Sequence, residues 1–270
     1  MASHQERTIW LHDRARIFSA LRADPALHLY ALGDLDDFFF PHTCWYALEI
    51  DGEPREIALL YTGVPTPALH LLATDVPAMR RLVRAMHAVL PRRFEVHATP
   101  GVSEELTATY DLRSHGLHLK MALVHPERAE AADTTGAEPL GPEHLEELKT
   151  LYAEAYPGNW FDPRMLETRR YMGVREGGRL VSVAGVHVYS AEYRIAALGN
   201  ITTLPTARGK GHAARATAAL CKRLLEDCDV IGLNVLADNT TAIRLYERLG
   251  FEIVASYDEA TATLKSGNFA

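Results

Sequence analysis

Two glycines one residue apart, Gly209 and Gly211 in TARGKGHAARA (206–216), stand between a β-like run and an alanine-rich segment of helical period. A turn alone needs one glycine. Two at a helix start let the backbone come close to a ligand, and the exposed N–H groups of a first helical turn favour an anion. The stretch therefore reads as a phosphate-binding helix start, with Arg208 and Lys210 supplying local positive charge. The charge is local because residues 1–130 carry 13 Lys and Arg against 17 Asp and Glu, and residues 131–270 carry 15 against 18. Neither half has the basic footprint that a nucleic-acid backbone requires.

A chain of 270 residues is long enough for two cores. The seam is PERAEAADTTGAEPLGPE (126–143), which has no sustained apolar period and reads as a linker centred on 131–137. This gives a first domain over 1–130 and a second over 138–270. No apolar run reaches the roughly 18 residues of a membrane span. The start, MASHQER, lacks the basic-then-apolar order of a secretory signal, so a cytoplasmic protein is expected. Cys44, Cys221 and Cys228 read as reduced core thiols.

The second half runs helix (144–156), a PGNWFDP break, three strands joined by turns at Gly177-Gly178 and Ser190–Glu192, helix (209–227), strand (230–237), helix (239–249) and a last strand, FEIVASY. The first half repeats that order loosely. Helices near 11–22 and 27–37 precede strands in WYALEI, EIALLYTG and ALHLLAT; helix 77–90, strand FEVHAT, a short helix in SEELTATY and strand LHLKMALV follow. At the place of the glycine loop it reads LLATDVPAMRRL (71–82), with no glycine and with Asp75 where an anion would sit. A duplicated first half has therefore lost its phosphate site, and one ligand per chain is expected.

Gly209, Gly211 and Ala214 also satisfy the dinucleotide fingerprint G-x-G-x-x-A, which implies a nicotinamide or flavin enzyme where further parallel β-α units follow. Only one strand, one helix and one strand follow here, and the strand before the loop ends a meander. A Walker A loop would need Gly-Lys-Ser/Thr, which Gly209-Lys210-Gly211 lacks. In NTTAIRLYERLGF, Asn239, Ala242 and Tyr246 fall on one helical face, a carboxamide and a phenol flanking a small residue.

Together, ITTLPTARGKGHA and LNVLADNTTAIRLYERLGF resemble the two cofactor motifs of the GNAT superfamily of acyl-CoA-dependent N-acyltransferases. The arrangement resembles its tandem members, such as the glycine N-acyltransferase-like branch. The resemblance covers about 138–260 and implies an α/β fold of two GNAT-like domains, the first degenerate, with a mixed, mostly antiparallel sheet flanked by helices. It implies acetyl-CoA as acyl donor, no metal, and a small-molecule or protein primary amine as acceptor. By the same resemblance Ile201, Thr202 and Thr203 line the pantetheine. Backbone amides of Gly209, Lys210, Gly211, His212, Ala213 and Ala214 hold the pyrophosphate, Arg208 and Lys210 add charge, Asn239 offers a cofactor-side amide, and Tyr246 is the general acid for the departing thiolate.

The chain departs from the family at the base. Where members often carry an acidic residue, GNITTL and LNVLADN present Asn200, Thr202 and Asn234. His187, Glu192 or water are the alternatives, and a CoA-binding sensor without turnover stands as the rival reading. Each site residue also has a purely structural reading: Asn239 as an N-cap, Tyr246 as a core phenol, and His187 as a satisfied strand histidine. Trp160 and Phe161 would line the acceptor loop or close the core. The acidic run GDLDDFFFPH, with Asp34, Asp36 and Asp37, lacks the glycine and distal glutamate of a calcium loop and reads as a solvated helix end.

Overall fold

The computed structural model describes residues 5–159 and 161–266. The chain forms two compact units. One comprises the chain up to Leu119 together with everything from Ala255 onward; the other runs from Lys120 to Val254. This differs from the division at 131–137 read from composition.

In the first unit β1 (Glu6–Trp10), α1 (Arg14–Leu21) and α2 (Leu29–Gly33) precede β2 (Thr43–Ile50), β3 (Glu53–Tyr61) and β4 (Ala68–Leu71). Then come α3 (Val76–Met86), β5 (Arg93–Ala98) and β6 (Tyr110–Leu123), of which residues up to Leu119 belong to this unit. Strands β1 to β4 pair antiparallel in sequence order, and β4 pairs β5 in parallel. Helix α3 buries Ala78, Met79, Leu82, Val83 and Met86, one stripe at helical spacing, among Leu48, Leu60, Leu69 and Phe94.

Three expectations change here. β1 escaped notice because its residues are exposed except for a half-buried Ile9, so no alternation marks it. The helix expected over 27–37 shortens to α2, since the Asp36 side chain accepts from the Phe38 N–H (3.2 Å) and draws the backbone into turns. SEELTATY yields only a 3-10 turn, Ser103–Leu106, before β6 starts at Tyr110.

Asp34, read as solvated, is buried, and loss of hydration pushes its carboxyl up to about 8. The folded protein then holds a proton that the unfolded chain releases near pH 4, so Asp34 lowers stability progressively as pH rises from there to about 8. Asp34→Asn should match wild type near pH 4 and exceed it by roughly 1.4 kcal/mol more for each pH unit above that, up to pH 8. Urea unfolding of both proteins at pH 4, 6 and 8 checks this; parallel curves would show a solvated carboxylate.

The second unit takes the end of β6 from Lys120, and its α4 (Pro126–Ala131) and β7 (Ala137–Leu140) flank 132–136, which hold no helix or strand. Ala129 is fully buried, and the Lys222 ammonium donates to the Ala132 carbonyl (3.0 Å). Composition hid this because alanine buries without an apolar signal. After α5 (Leu145–Ala155) come β8 (Tyr171–Glu176), β9 (Arg179–Ser190) and β10 (Ile195–Thr203), antiparallel neighbours in a row. Gly177 and Gly178, both at positive φ, make the first hairpin turn. α6 (His212–Leu224) crosses to β11 (Val230–Leu236), which lies parallel to β10, and α7 (Thr240–Arg248) leads to β12 (Phe251–Leu264). The last strand is twice the length of FEIVASY, and from Ala255 it belongs to the first unit, where Asp258–Thr263 pair with β5.

The fold is α/β, with strands mostly antiparallel and, among the described pairings, a parallel pair in each unit. Cys221 and Cys228 are buried free thiols, which burial pushes up to about 12 in each case, and Cys44 is half-buried and free.

Candidate functional site

The parallel pairs of the two units end differently. In the first, pairing runs to Leu71 opposite Ala98, the last residues of β4 and β5, and continues with the Thr99 N–H donating to the Leu71 carbonyl (3.1 Å). In the second, pairing stops at Leu198 opposite Leu233, although β10 continues to Thr203 and β11 to Leu236. The strands part there, leaving a fork with Asn200 and the half-buried Ile201, Thr202 and Thr203 on one arm and Asn234 on the other.

Two bulges shape this fork. On β9, Val188 opposes Ala197 and Val186 opposes Leu198, so His187 is an extra residue; on β10, Asn200 and Ile201 together oppose the single residue Ala184, between the Gly199 and Thr202 pairings. Asn200 takes a left-handed conformation (φ 56°), uncommon for a residue with a side chain. Bulges re-aim side chains, and here they turn His187 and Asn200 toward each other: His187 Nε2 lies 3.2 Å from Asn200 Oδ1. The Asn200 amide nitrogen donates to the Tyr171 hydroxyl (2.9 Å), and the Tyr152 hydroxyl donates to the Asn200 carbonyl (3.1 Å).

Beyond the fork lies the glycine loop. Gly209 (φ 79°) and Gly211 (φ 77°) are left-handed, and a Cβ on either would meet nothing within 4 Å. Their requirement is conformational, and the space before them is open. Among the described residues the backbone N–H groups of Gly209, Lys210, Gly211, His212, Ala213 and Ala214 donate to no protein acceptor. Backbone donors without a protein acceptor at the start of a 13-residue helix are the groups an anion would need.

The charges around the loop differ from the simple expectation. Lys210 is paired with Glu176 at the end of β8 (3.0 Å), which cancels its charge. The same carboxylate contacts His212 Nε2 (2.7 Å), while Arg215 donates to His212 Nδ1 (2.6 Å). The His212 ring is thus buried between Glu176 and Arg215, which leaves only its backbone amide for a ligand. Lys210 and His212 hold the Glu176 carboxyl below its usual range. Arg208 is exposed, its Nε donating to the Thr203 carbonyl (3.3 Å).

The corresponding helix start in the first unit is already filled. Glu56 Oε1 accepts from the backbone of Thr74 (3.1 Å) and of Asp75 (2.6 Å), and Asp75 Oδ1 accepts from Ala78 N–H (3.0 Å). Two carboxylates take the amides that an anion would need.

On α7, Asn239 is the N-cap, its Oδ1 accepting from Ala242 N–H (3.2 Å), which leaves its NH2 group for other contacts. Tyr246 is buried, its ring edge-on to Phe251 at 5.9 Å. Its hydroxyl makes no hydrogen bond to a described residue, and burial, reinforced by the Tyr156 and Cys221 groups, raises its pKa above that of an ordinary phenol. A phenol held neutral with an uncommitted proton can donate one.

Glu192 is exposed in the turn between β9 and β10, at the far end of the strand from the fork, and is withdrawn as a base. Phe161 packs against Tyr152 (5.0 Å) and Tyr171 (6.2 Å); Trp160 lies outside the described residues. No group of three or more His, Cys, Asp or Glu among the described residues is arranged to hold a metal ion.

The fork, the glycine loop and the buried phenol of α7 all lie in the segment that carries the resemblance. Residues 140–251 match the model of the acetyltransferase (GNAT) family. This segment is similar to that family's domain. The family implies acyl transfer from acetyl-CoA. A structure described as an acetyltransferase of the GNAT family from Novosphingobium aromaticivorans shares 22% identity, covering 77% of this chain and 89% of its own, with a TM-score of 0.57. A GCN5-related N-acetyltransferase from Sphaerobacter thermophilus aligns over 98% of both chains at 13% identity, with a TM-score of 0.62. A tandem GNAT protein from the clavulanic acid biosynthesis pathway covers 98% of this chain and 100% of its own, at 16% identity and a TM-score of 0.58. These likenesses establish the fold, and no curated protein matches the chain.

Around the fork, Glu176 and Tyr171 were not anticipated. Glycines inside strands were the available signal for the second. A Cβ at Gly185 would lie 2.1 Å from the Tyr171 ring, and one at Gly199 would lie 2.3 Å from the His187 ring. Glu176 left no local trace, since its partners lie 34 and 36 residues away.

Proposed function

We propose that the second unit transfers an acetyl group from acetyl-CoA to a primary amine by direct attack on the thioester. The observation that carries this reading is the fork opening past Leu198 and Leu233 beside loop amides that have no protein acceptor. Pantetheine would run along Ile201, Thr202 and Thr203, and the pyrophosphate would take the amides of Gly209 to Ala214. Arg208 would supply positive charge, with Lys210 joining it on leaving Glu176. Asn239 would reach the cofactor through its NH2 group, and Tyr246 would protonate the departing thiolate.

The acceptor is an amine on a small molecule or protein, drawn with acetyl-CoA from the cytoplasm; no described helix is long and apolar enough to cross a membrane. The tandem arrangement supports placement near the glycine N-acyltransferase-like branch.

The test combines calorimetric titration with acetyl-CoA and an assay for free CoA thiol across a panel of primary amines. Binding with thiol release supports acetyl transfer. Binding without release for any amine would make the protein a CoA sensor, which the lack of a carboxylate at the fork favours. The stoichiometry should be one acetyl-CoA per chain, because Glu56 and Asp75 fill the first unit's helix start and β4–β5 never part. Two equivalents would show that the first unit has kept its site.

A further inference from the structure

The cation of the glycine loop is paired with an anion of the chain itself, and that anion has a second, buried attachment. Lys210 Nζ lies 3.0 Å from each carboxylate oxygen of Glu176, the last residue of β8. Glu176 Oε1 also contacts Nε2 of the buried His212 ring (2.7 Å). At the opposite edge of that ring, Arg215 Nη2 lies 2.6 Å from Nδ1. A guanidinium can only donate, so Nδ1 accepts and the proton of the ring resides on Nε2, from which it is donated to Glu176. Arg215 has its own counter-charge in Asp133, 4.0 Å from Nη1.

The two attachments of Glu176 differ in what can replace them. The Lys210 and Glu176 side chains are 53% and 38% exposed, and water and salt screen an ion pair of that kind. The His212 side chain is only 5% exposed, so its bond to Glu176 is out of reach of solvent. Lys210 is therefore the partner that can leave, and Glu176 the one that stays. Lys210, and after it His212, hold the Glu176 carboxyl below its usual range, so it is ionised at neutral pH.

We propose that Glu176 is an internal competitor of the ligand's phosphate: it gives up Lys210 when acetyl-CoA binds and reclaims it as CoA leaves. The inference rests on the acetyl-CoA reading of the loop. Binding exchanges one ion pair for another, and Glu176, retained by His212, is left beside the loop as a negative charge without its cation. Both effects weaken binding. The backbone N–H groups of Gly209 to Ala214, which have no protein acceptor, outweigh them for a pyrophosphate. CoA departs with the same pyrophosphate that acetyl-CoA brought, so every loop contact that aids binding also slows release, a step that limits many enzymes. A carboxylate waiting for Lys210 shortens that step.

The experiment uses the full chain. Glu176→Gln keeps an oxygen that can accept from His212 and removes the charge. In calorimetric titration it should bind acetyl-CoA and CoA each about 3- to 5-fold more tightly than wild type, the scale of an exposed ion pair. The gain should appear as slower CoA dissociation in a stopped-flow displacement assay. In a Lys210→Met background the same substitution should give a smaller gain, because no cation remains to be released. Carbon-13 NMR of the Glu176 carboxyl in wild type gives a readout independent of any variant's folding. Its titration midpoint should rise when acetyl-CoA binds, since the group loses a cation and gains an anion as neighbour. Unchanged or weaker binding in Glu176→Gln, an equal gain with and without Lys210, or a midpoint that does not move would each overturn the competitor role and leave acetyl-CoA on the loop. Wild type that binds no acetyl-CoA would remove both.

Discussion

Gly211→Asp should lose acetyl-CoA affinity by at least about 100-fold, roughly 2.7 kcal/mol, while the protein stays folded. The magnitude follows from where the new side chain points. A Cβ on Gly211 meets nothing within 4 Å, so a carboxylate there displaces no protein atom and brings negative charge to the glycine loop itself. Two like charges 4 Å apart at an effective dielectric of about 20 repel by about 4 kcal/mol, more than the loss assigned here. The left-handed backbone (φ 77°) costs a side chain on the order of 1–2 kcal/mol, with Asp and Asn the best tolerated. Gly211→Asn therefore separates the effects, since it carries the same backbone cost without the charge. Calorimetric titration should show the asparagine variant weakened far less than the aspartate variant. Equal affinities in Gly211→Asp and wild type would remove the pyrophosphate from this loop.

Tyr246→Phe should lower turnover by about 100-fold, the lower end for a general acid, because a thiolate leaves more readily than an alkoxide. The change removes only the hydroxyl. The ring keeps its edge-on contact with Phe251, and no hydrogen bond to a described residue is lost, so stability and acetyl-CoA affinity should hold. The pH profile carries a correction to the expectation for a free phenol. An unperturbed tyrosine would ionise near about 10 and impose an alkaline fall that the phenylalanine variant lacks. Burial raises Tyr246 above that, so the wild-type rate should climb as the acceptor ammonium loses its proton and then stay level. Both proteins should share that alkaline shape at different heights. Wild-type turnover in the variant would make Tyr246 a packing residue and water the proton source.

The sequence by itself determined the features that depend on neighbours along the chain. A left-handed backbone at Gly209 and Gly211, the cap at Asn239, the Gly177-Gly178 turn and the apolar stripe of α6 each follow from residues within a few positions of one another. Local sterics and helical period are sufficient for these. The order of elements in the second half followed for the same reason, and with it the resemblance to a GNAT domain.

Pairing between distant strands was decided only in the folded chain. Alternation of apolar residues shows that a strand has a buried face, but not where its ladder ends, so the fork past Leu198 and the closed β4–β5 pair could not be told apart from their sequences. The end of β12 joins the first unit because its partner is β5, more than 150 positions earlier in the chain. Charges behaved likewise: Lys210 reads as a free cation until Glu176 is folded against it, and Asp34 as a solvated carboxylate until its surroundings close.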